Sequence, residues 1–273
     1  MKPSNGWRLV VATEGLPIPE PLREDYAEWS WRSVSRWPGA FDTYRLEGPS
    51  GRVRFAKLAA PTAYPSLPGE AERTRWAIEH LPVPGVVASG SGLDVDWMVT
   101  EGLAGRDGVH DRWSTDHARL VRALARGLRT FHSVAVDACP FSFSLDAALE
   151  HVQRRVEAGV VVSQDDFHEE HRHLTPHGAL DRLLTERPID EDLVVCHGDY
   201  CAPNILLEGW EPVGFVDLGE VGVADRWWDL AVATWSVGWN FGEGLEDLFL
   251  EEYGVAMDVE RCSYYRLLYD LVS

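Results

Sequence analysis

Residues 197–204 read HGDYCAPN, and residues 215–219 read FVDLG. The first stretch follows Leu193-Val194-Val195, a short apolar run with the character of a buried strand. A chain that places His, Gly, Asp and Asn directly after such a run is leaving the strand for a polar loop. The segment NILLEGWEPVGFVD, 204–217, then reads as a hairpin, which would bring Asn204 and Asp217 to neighbouring strand ends. Asp199 stands five residues before Asn204, so three oxygen-bearing side chains should converge on one small volume. Any one of them alone is explained by ordinary turn hydrogen bonding or strand-end capping. Their joint spacing points to shared chemistry.

Asn204 and Asp217 supply a carboxamide and a carboxylate, hard ligands suited to Mg2+ bridging phosphates. Asp199 is placed to accept a hydroxyl proton or to orient that hydroxyl for attack. Phosphoryl transfer needs such a set, because little covalent work falls to the protein and catalysis is positioning plus neutralisation of charge.

Working outward, the first hundred residues read as strands and turns with one helix. TYRLEGPSGRVRFAKL, 43–58, is a hairpin around a Gly-Pro-Ser-Gly turn, with Val53, Phe55 and Leu58 in its second strand. GEAERTRWAIEHL, 69–81, is a helix closed by PVPG, and two short strands follow around a Gly/Asp turn. Beyond EGLAGRDG the texture changes. Ser114 or Thr115 should cap a helix whose Val121, Leu124, Leu128 and Phe131 form an apolar stripe. Further helical stretches surround the opening motif. The fold class is therefore α+β, with a small antiparallel-sheet lobe over 1–102, a hinge at about 100–104, and a larger, mainly helical lobe over 103–273.

The net charge of -19 argues against a nucleic-acid partner, which binds through lysines and arginines. It suits a cationic or metal-accompanied ligand, although solubility or a salt-adapted host explains it equally well. Four scattered cysteines lack a second Cys/His pair at zinc-ligand spacing and read as reduced thiols. No apolar leader or membrane-length segment is present, so a soluble, cytoplasmic protein is expected, a monomer or weak dimer.

HGDYCAPN, FVDLG and VADRWWDLA resemble the aminoglycoside phosphotransferase family, especially its 3'-phosphotransferase branch, and the likeness runs from about Ala40 to the C-terminus. It includes EAGVVVSQDDFHEEH and YYRLLYD. The pattern H-x-D, four residues, N, then D-x-G after a strand is met in all parts. The resemblance implies a bilobal protein-kinase-like fold and an ATP- or GTP-dependent enzyme acting on a small-molecule hydroxyl. It makes Asp199 the catalytic aspartate, His197 the residue ordering its loop, and Asn204 and Asp217 the Mg2+ ligands. Lys57 would meet the nucleotide phosphates, aimed by Glu70, which fits the family spacing to Trp76 better than Glu72. Thr100-Glu101-Gly102 would form the hinge whose backbone meets the purine, and Asp229 is expected to be structural. Aminoglycoside binding would fall to Asp166, Glu169, Trp235 and Asp270.

Three departures stand out. The phosphate-covering turn reads SRWPGAFDTY, where Pro38 has no N–H, Trp37 is bulky, and only Gly39 remains adaptable. Glu220 stands where the family carries an arginine. His168 replaces an acid between Asp166 and Glu169, and Trp235-Ser236 replaces an Arg-Asp pair. Trp227, Trp228, Trp235 and Trp239 read first as helix packing, but a more aromatic acceptor wall would suit a less charged antibiotic or sugar. The competing readings are thus the same chemistry on a non-aminoglycoside acceptor, and a catalytically silent nucleotide-binding fold.

Overall fold

The computed structural model describes residues 15–37, 39–160 and 167–272. It divides into two compact units. The described residues up to Glu79, with Pro84–Leu103, form one; His80–Val83 with the chain from Ala104 onward form the other.

The first unit comprises α1 (Glu20–Asp25), β1 (Ser30–Trp37), β2 (Phe41–Glu47), β3 (Val53–Ala59), α2 (Leu67–Ala77), β4 (Val86–Ser91) and β5 (Asp96–Glu101). Its strands form one antiparallel sheet in the order β1-β2-β3-β5-β4. The hairpin read from residues 43–58 is present, with Thr43 opposite Lys57. Gly51 closes it at φ 76, a left-handed conformation that glycine adopts without a Cβ clash. Strand alternation sends Ala56 and Leu58 into a core with Leu22, Tyr26, Leu46 and Val99. The opposite face of the sheet contributes Ala59 and Met98 to a second cluster with Leu67 and Ala71 of α2. Helix α1 was not anticipated: it is short and mostly exposed, and Leu22 secures it by burial at 1% exposure.

The second unit comprises β6 (Arg106–Asp107), α3 (His117–His132), α4 (Leu145–Glu157), α5 (Pro176–Thr185), β7 (Leu193–Cys196), β8 (Ile205–Glu208), β9 (Glu211–Phe215), β10 (Gly222–Asp225), α6 (Arg226–Phe241), α7 (Glu246–Tyr253) and α8 (Val259–Val272). Strand β7 pairs with β10, and β8 lies between β6 and β9. Phe215 ties down the 80–83 segment by donating its amide to the Pro82 carbonyl, 3.0 Å. The apolar stripe of α3 is fully buried. Its cap differs from expectation. Asp116 accepts from the Arg119 amide at 2.9 Å, one residue nearer the helix than Thr115, while the Ser114 amide closes the preceding 3-10 turn onto Asp111. Among the described residues, no helix is long and apolar enough to cross a membrane.

Candidate functional site

In the first unit, Lys57 lies on the β3 face that meets α2. Ser66 caps α2, and Pro68 in the first turn suits a position whose N–H has no helical partner. Glu70 follows, buried at 2% exposure, and its Oε2 lies 2.7 Å from Lys57 Nζ. A glutamate so withdrawn from water needs a cation, and Lys57 is it. Gly39, at φ 76 in the turn between β1 and β2, has open space where a side chain would stand. The Ala40 amide beside it is already donated to the Trp37 carbonyl, 3.0 Å, and Pro38 lies outside the described residues. Thr100 sits buried in β5. The Glu101 and Gly102 amides are held within the same unit by the carbonyls of Gly85 and Val53, each at 2.9 Å. The expectation of a purine contact here therefore narrows to the segment's other backbone groups.

In the second unit, the chain leaves buried β7 at His197. Its amide and that of Gly198 donate to the two oxygens of Asp229, at 2.7 and 2.8 Å. Asp229 is fully buried in α6, and Oδ2 also bonds His132 Nε2 at 2.9 Å. It clamps the loop from behind. Gly198 stands at φ 90, and a Cβ there would fall 2.4 Å from the Cβ of Glu220. Only glycine fits. Glu220, in the place expected for a cation, is thus built into the underside of this loop, at 7% exposure.

His197 Nε2 lies 3.0 Å from the Val216 carbonyl, and its Nδ1 lies 3.3 Å from the Asp199 amide. The carbonyl can only accept and the amide only donate, so the ring carries its proton on Nε2. His197 therefore links the loop to the end of β9. Asn204 closes a 3-10 turn, and its Nδ2 donates to the Asp199 backbone oxygen and to Oδ2, both at 2.9 Å. The Val216 amide returns to the Asn204 carbonyl at 3.0 Å, and Ile205 pairs with Phe215. Asn204 and Asp217 accordingly sit at the adjoining ends of β8 and β9. Asp217 has φ 61, a left-handed backbone unusual for a residue with a side chain and concentrated at functional sites.

Two donors that the sequence reading missed complete the Asp199 surroundings. Tyr269 Oη and Cys201 Sγ each lie 3.0 Å from Oδ1. Burial pushes the Cys201 thiol up, and the neighbouring Asp199 adds to this, so it stays protonated. Ser236 Oγ accepts from the Ala202 amide at 2.9 Å and steadies the same loop. Tyr269 lies in the YYRLLYD stretch and Ser236 in the altered Trp235-Ser236 pair, but only proximity in the fold shows that they meet the Asp199 loop.

The expected acceptor residues divide. Asp166 lies outside the described residues. Glu169 is exposed at the start of a 3-10 turn. Asp270, expected to hold a substrate ammonium group, is instead withdrawn from solvent. Its side chain is 3% exposed and is engaged by the His168 amide, by His168 Nδ1, and by His171 Nδ1 at 2.7 Å. Burial alone would raise the Asp270 carboxyl, but these hydrogen bonds outweigh it and hold it below the ordinary carboxylate value. Trp235 is half-buried. It meets the His168 ring edge-to-face at 4.6 Å and stacks on exposed Trp239 at 6.0 Å, whereas Trp227 and Trp228 are core.

The sequence pattern of the phosphotransferase enzyme family matches residues 38–265. An aminoglycoside 3'-phosphotransferase of Streptomyces fradiae is 35% identical over 260 residues, covering 90% of this chain and 97% of its own. A crystal structure of aminoglycoside-3'-phosphotransferase of type VIII is 37% identical, with TM-score 0.82 over 92% of this chain and 96% of that one. An aminoglycoside phosphotransferase from Streptomyces rimosus, solved with ADP and streptomycin, is 27% identical, with TM-score 0.76 over 92% and 96% of the two chains. An aspartate gripped from three sides, beside a hairpin whose ends present Asn204 and Asp217, therefore belongs here to a member of the phosphotransferase enzyme family with the protein-kinase-like fold.

Proposed function

We propose that this chain transfers the γ-phosphoryl group of ATP to a hydroxyl of an aminoglycoside. The observation that carries the reading is the Asp199 carboxylate, bonded to Asn204 at 2.9 Å in a loop that the Val216 amide, next to Asp217, ties down at the Asn204 carbonyl. Asp199 orients the acceptor hydroxyl and takes its proton as the hydroxyl oxygen bonds to the γ-phosphorus and the bond to the departing ADP oxygen breaks. His197 and Asp229 keep that carboxylate's loop in place. Lys57, held by Glu70, offers its charge to the nucleotide phosphates. The curated and structural relatives support the acceptor class, and a net charge of -19 suits a polycationic substrate.

The donor set fits Mg2+. Both Asn204 bonds to Asp199 use the amide nitrogen, so the amide oxygen can serve as a hard ligand, and Asp217 supplies a carboxylate from the adjoining strand end. When bound, Mg2+ would neutralise phosphate charge in the transfer. Asn204 and Asp217 would hold it.

A second reading keeps the chemistry with a less cationic acceptor. It is favoured by Asp270, whose carboxylate is already taken up by His168 and His171. The test is ADP release with kanamycin-like, streptomycin-like and uncharged antibiotics, using wild type and Asp199→Ala. Magnesium-dependent turnover of the cationic compounds, absent in the variant, is expected. Turnover of uncharged compounds alone would establish the second reading, and full activity of Asp199→Ala would remove this carboxylate from the chemistry.

A further inference from the structure

Tyr269 stands in α8, and its Oη lies 3.0 Å from Asp199 Oδ1. Cys201 Sγ reaches the same oxygen, and Asn204 Nδ2 holds Oδ2. A carboxylate offers about four lone-pair sites, of which these donors take three. We propose that Tyr269 is a positioning residue for phosphoryl transfer, its phenol fixing the Asp199 carboxylate so that the remaining site on Oδ2 meets the acceptor hydroxyl, an inference that rests on reading Asp199 as the acceptor-orienting group.

The physical need for such a donor is specific. The terminal torsion of an aspartate is broad, so the backbone alone does not set the plane of its carboxylate. Donors must set it. Asn204 controls one oxygen. On the other, the Cys201 thiol is a weak donor, and the phenol is the strong one.

Tyr269 also comes from a rigid element. Leu267, Leu268 and Leu271 of α8 are buried at 1%, 0% and 0% exposure, and the adjacent Asp270 is fastened to His168 and His171. Burial, reinforced by the charge of Asp199, pushes the Tyr269 phenol well above its ordinary value. It therefore remains a neutral donor wherever the enzyme works.

Tyr269→Phe removes only the hydroxyl. A fall in kcat of about tenfold is expected, with nucleotide KM unchanged and the melting temperature held within a few degrees. Replacement of Tyr269 by 3-fluorotyrosine keeps the ring and the hydroxyl and strengthens donation. It should lower kcat by about twofold, because charge drawn from Asp199 makes it a poorer proton acceptor. A packing role would leave that second variant at wild-type kcat, and this result overturns the proposal even if Tyr269→Phe fails to fold. Asp199→Ala, measured alongside, separates the two readings. If it is inactive while both Tyr269 variants match wild type, only the positioning role falls; if it retains turnover, both fall.

Discussion

Lys57 Nζ and Glu70 Oε2 are 2.7 Å apart, with the glutamate side chain only 3% exposed and the lysine 17%. The pair bridges the central strand of the first unit to α2. Removing Glu70 would take an ion-pair partner from an ammonium in a mostly dry site, and removing Lys57 would take one from a buried carboxylate.

Glu70→Ala is accordingly expected to cost about 3–5 kcal/mol of stability, and Lys57→Ala a comparable amount. The double variant should lose less than the sum, because both single changes remove the same ion pair. Urea unfolding of the four proteins measures this, and strict additivity would contradict a coupled pair. Lys57→Ala should also lower kcat/KM for the nucleotide by about 100-fold, the scale of losing one charged donor from a transfer site.

Asp229 gathers the His197 and Gly198 amides and His132 Nε2, at 2.7, 2.8 and 2.9 Å. Asp229→Asn must turn an NH2 group toward at least one of these donors. A loss of about 3 kcal/mol is expected in thermal or urea unfolding. Because the clamp sets the loop that carries Asp199, kcat should fall about tenfold in whatever fraction remains folded, with little change in nucleotide KM. Unaltered kcat would mean that the loop holds its shape without the clamp.

Asp270 gives a pH dependence with a definite sign. Its folded carboxyl is held below the ordinary value, so the ionised form is favoured in the native state. That contribution is complete above the ordinary carboxylate range, about 4, and is lost as the pH falls through the lower folded value. The melting-temperature gap between wild type and Asp270→Asn should therefore be full near neutrality and narrow as the pH falls below the ordinary carboxylate range. A gap independent of pH would show that the carboxylate charge contributes nothing there.

Much of the fold was readable because its causes are local in the chain. The 43–58 hairpin follows from strand alternation around a glycine turn, and the α3 stripe from side chains repeating at helical spacing. The adjoining positions of Asn204 and Asp217 follow likewise, because a short hairpin leaves few ways to return. The α3 cap was misplaced within its own polar run, where Ser114, Thr115 and Asp116 are all suitable residues and the hydrogen bonding decides.

What the amino-acid order determined, then, was the set of oxygen-bearing side chains, their spacing, and the lysine and glutamate that accompany them. Tertiary structure alone decided how those groups are used. Tyr269 reaches Asp199 across 70 residues, Asp229 reaches the His197 amide across 32, and Asp270 is taken up by His168 across 102. The reason is physical: a carboxylate's role depends on which donors surround it and how much water remains, and both are properties of the packed chain. Asp199, Asp229 and Asp270 share one side-chain chemistry and differ in what the packed chain places around them.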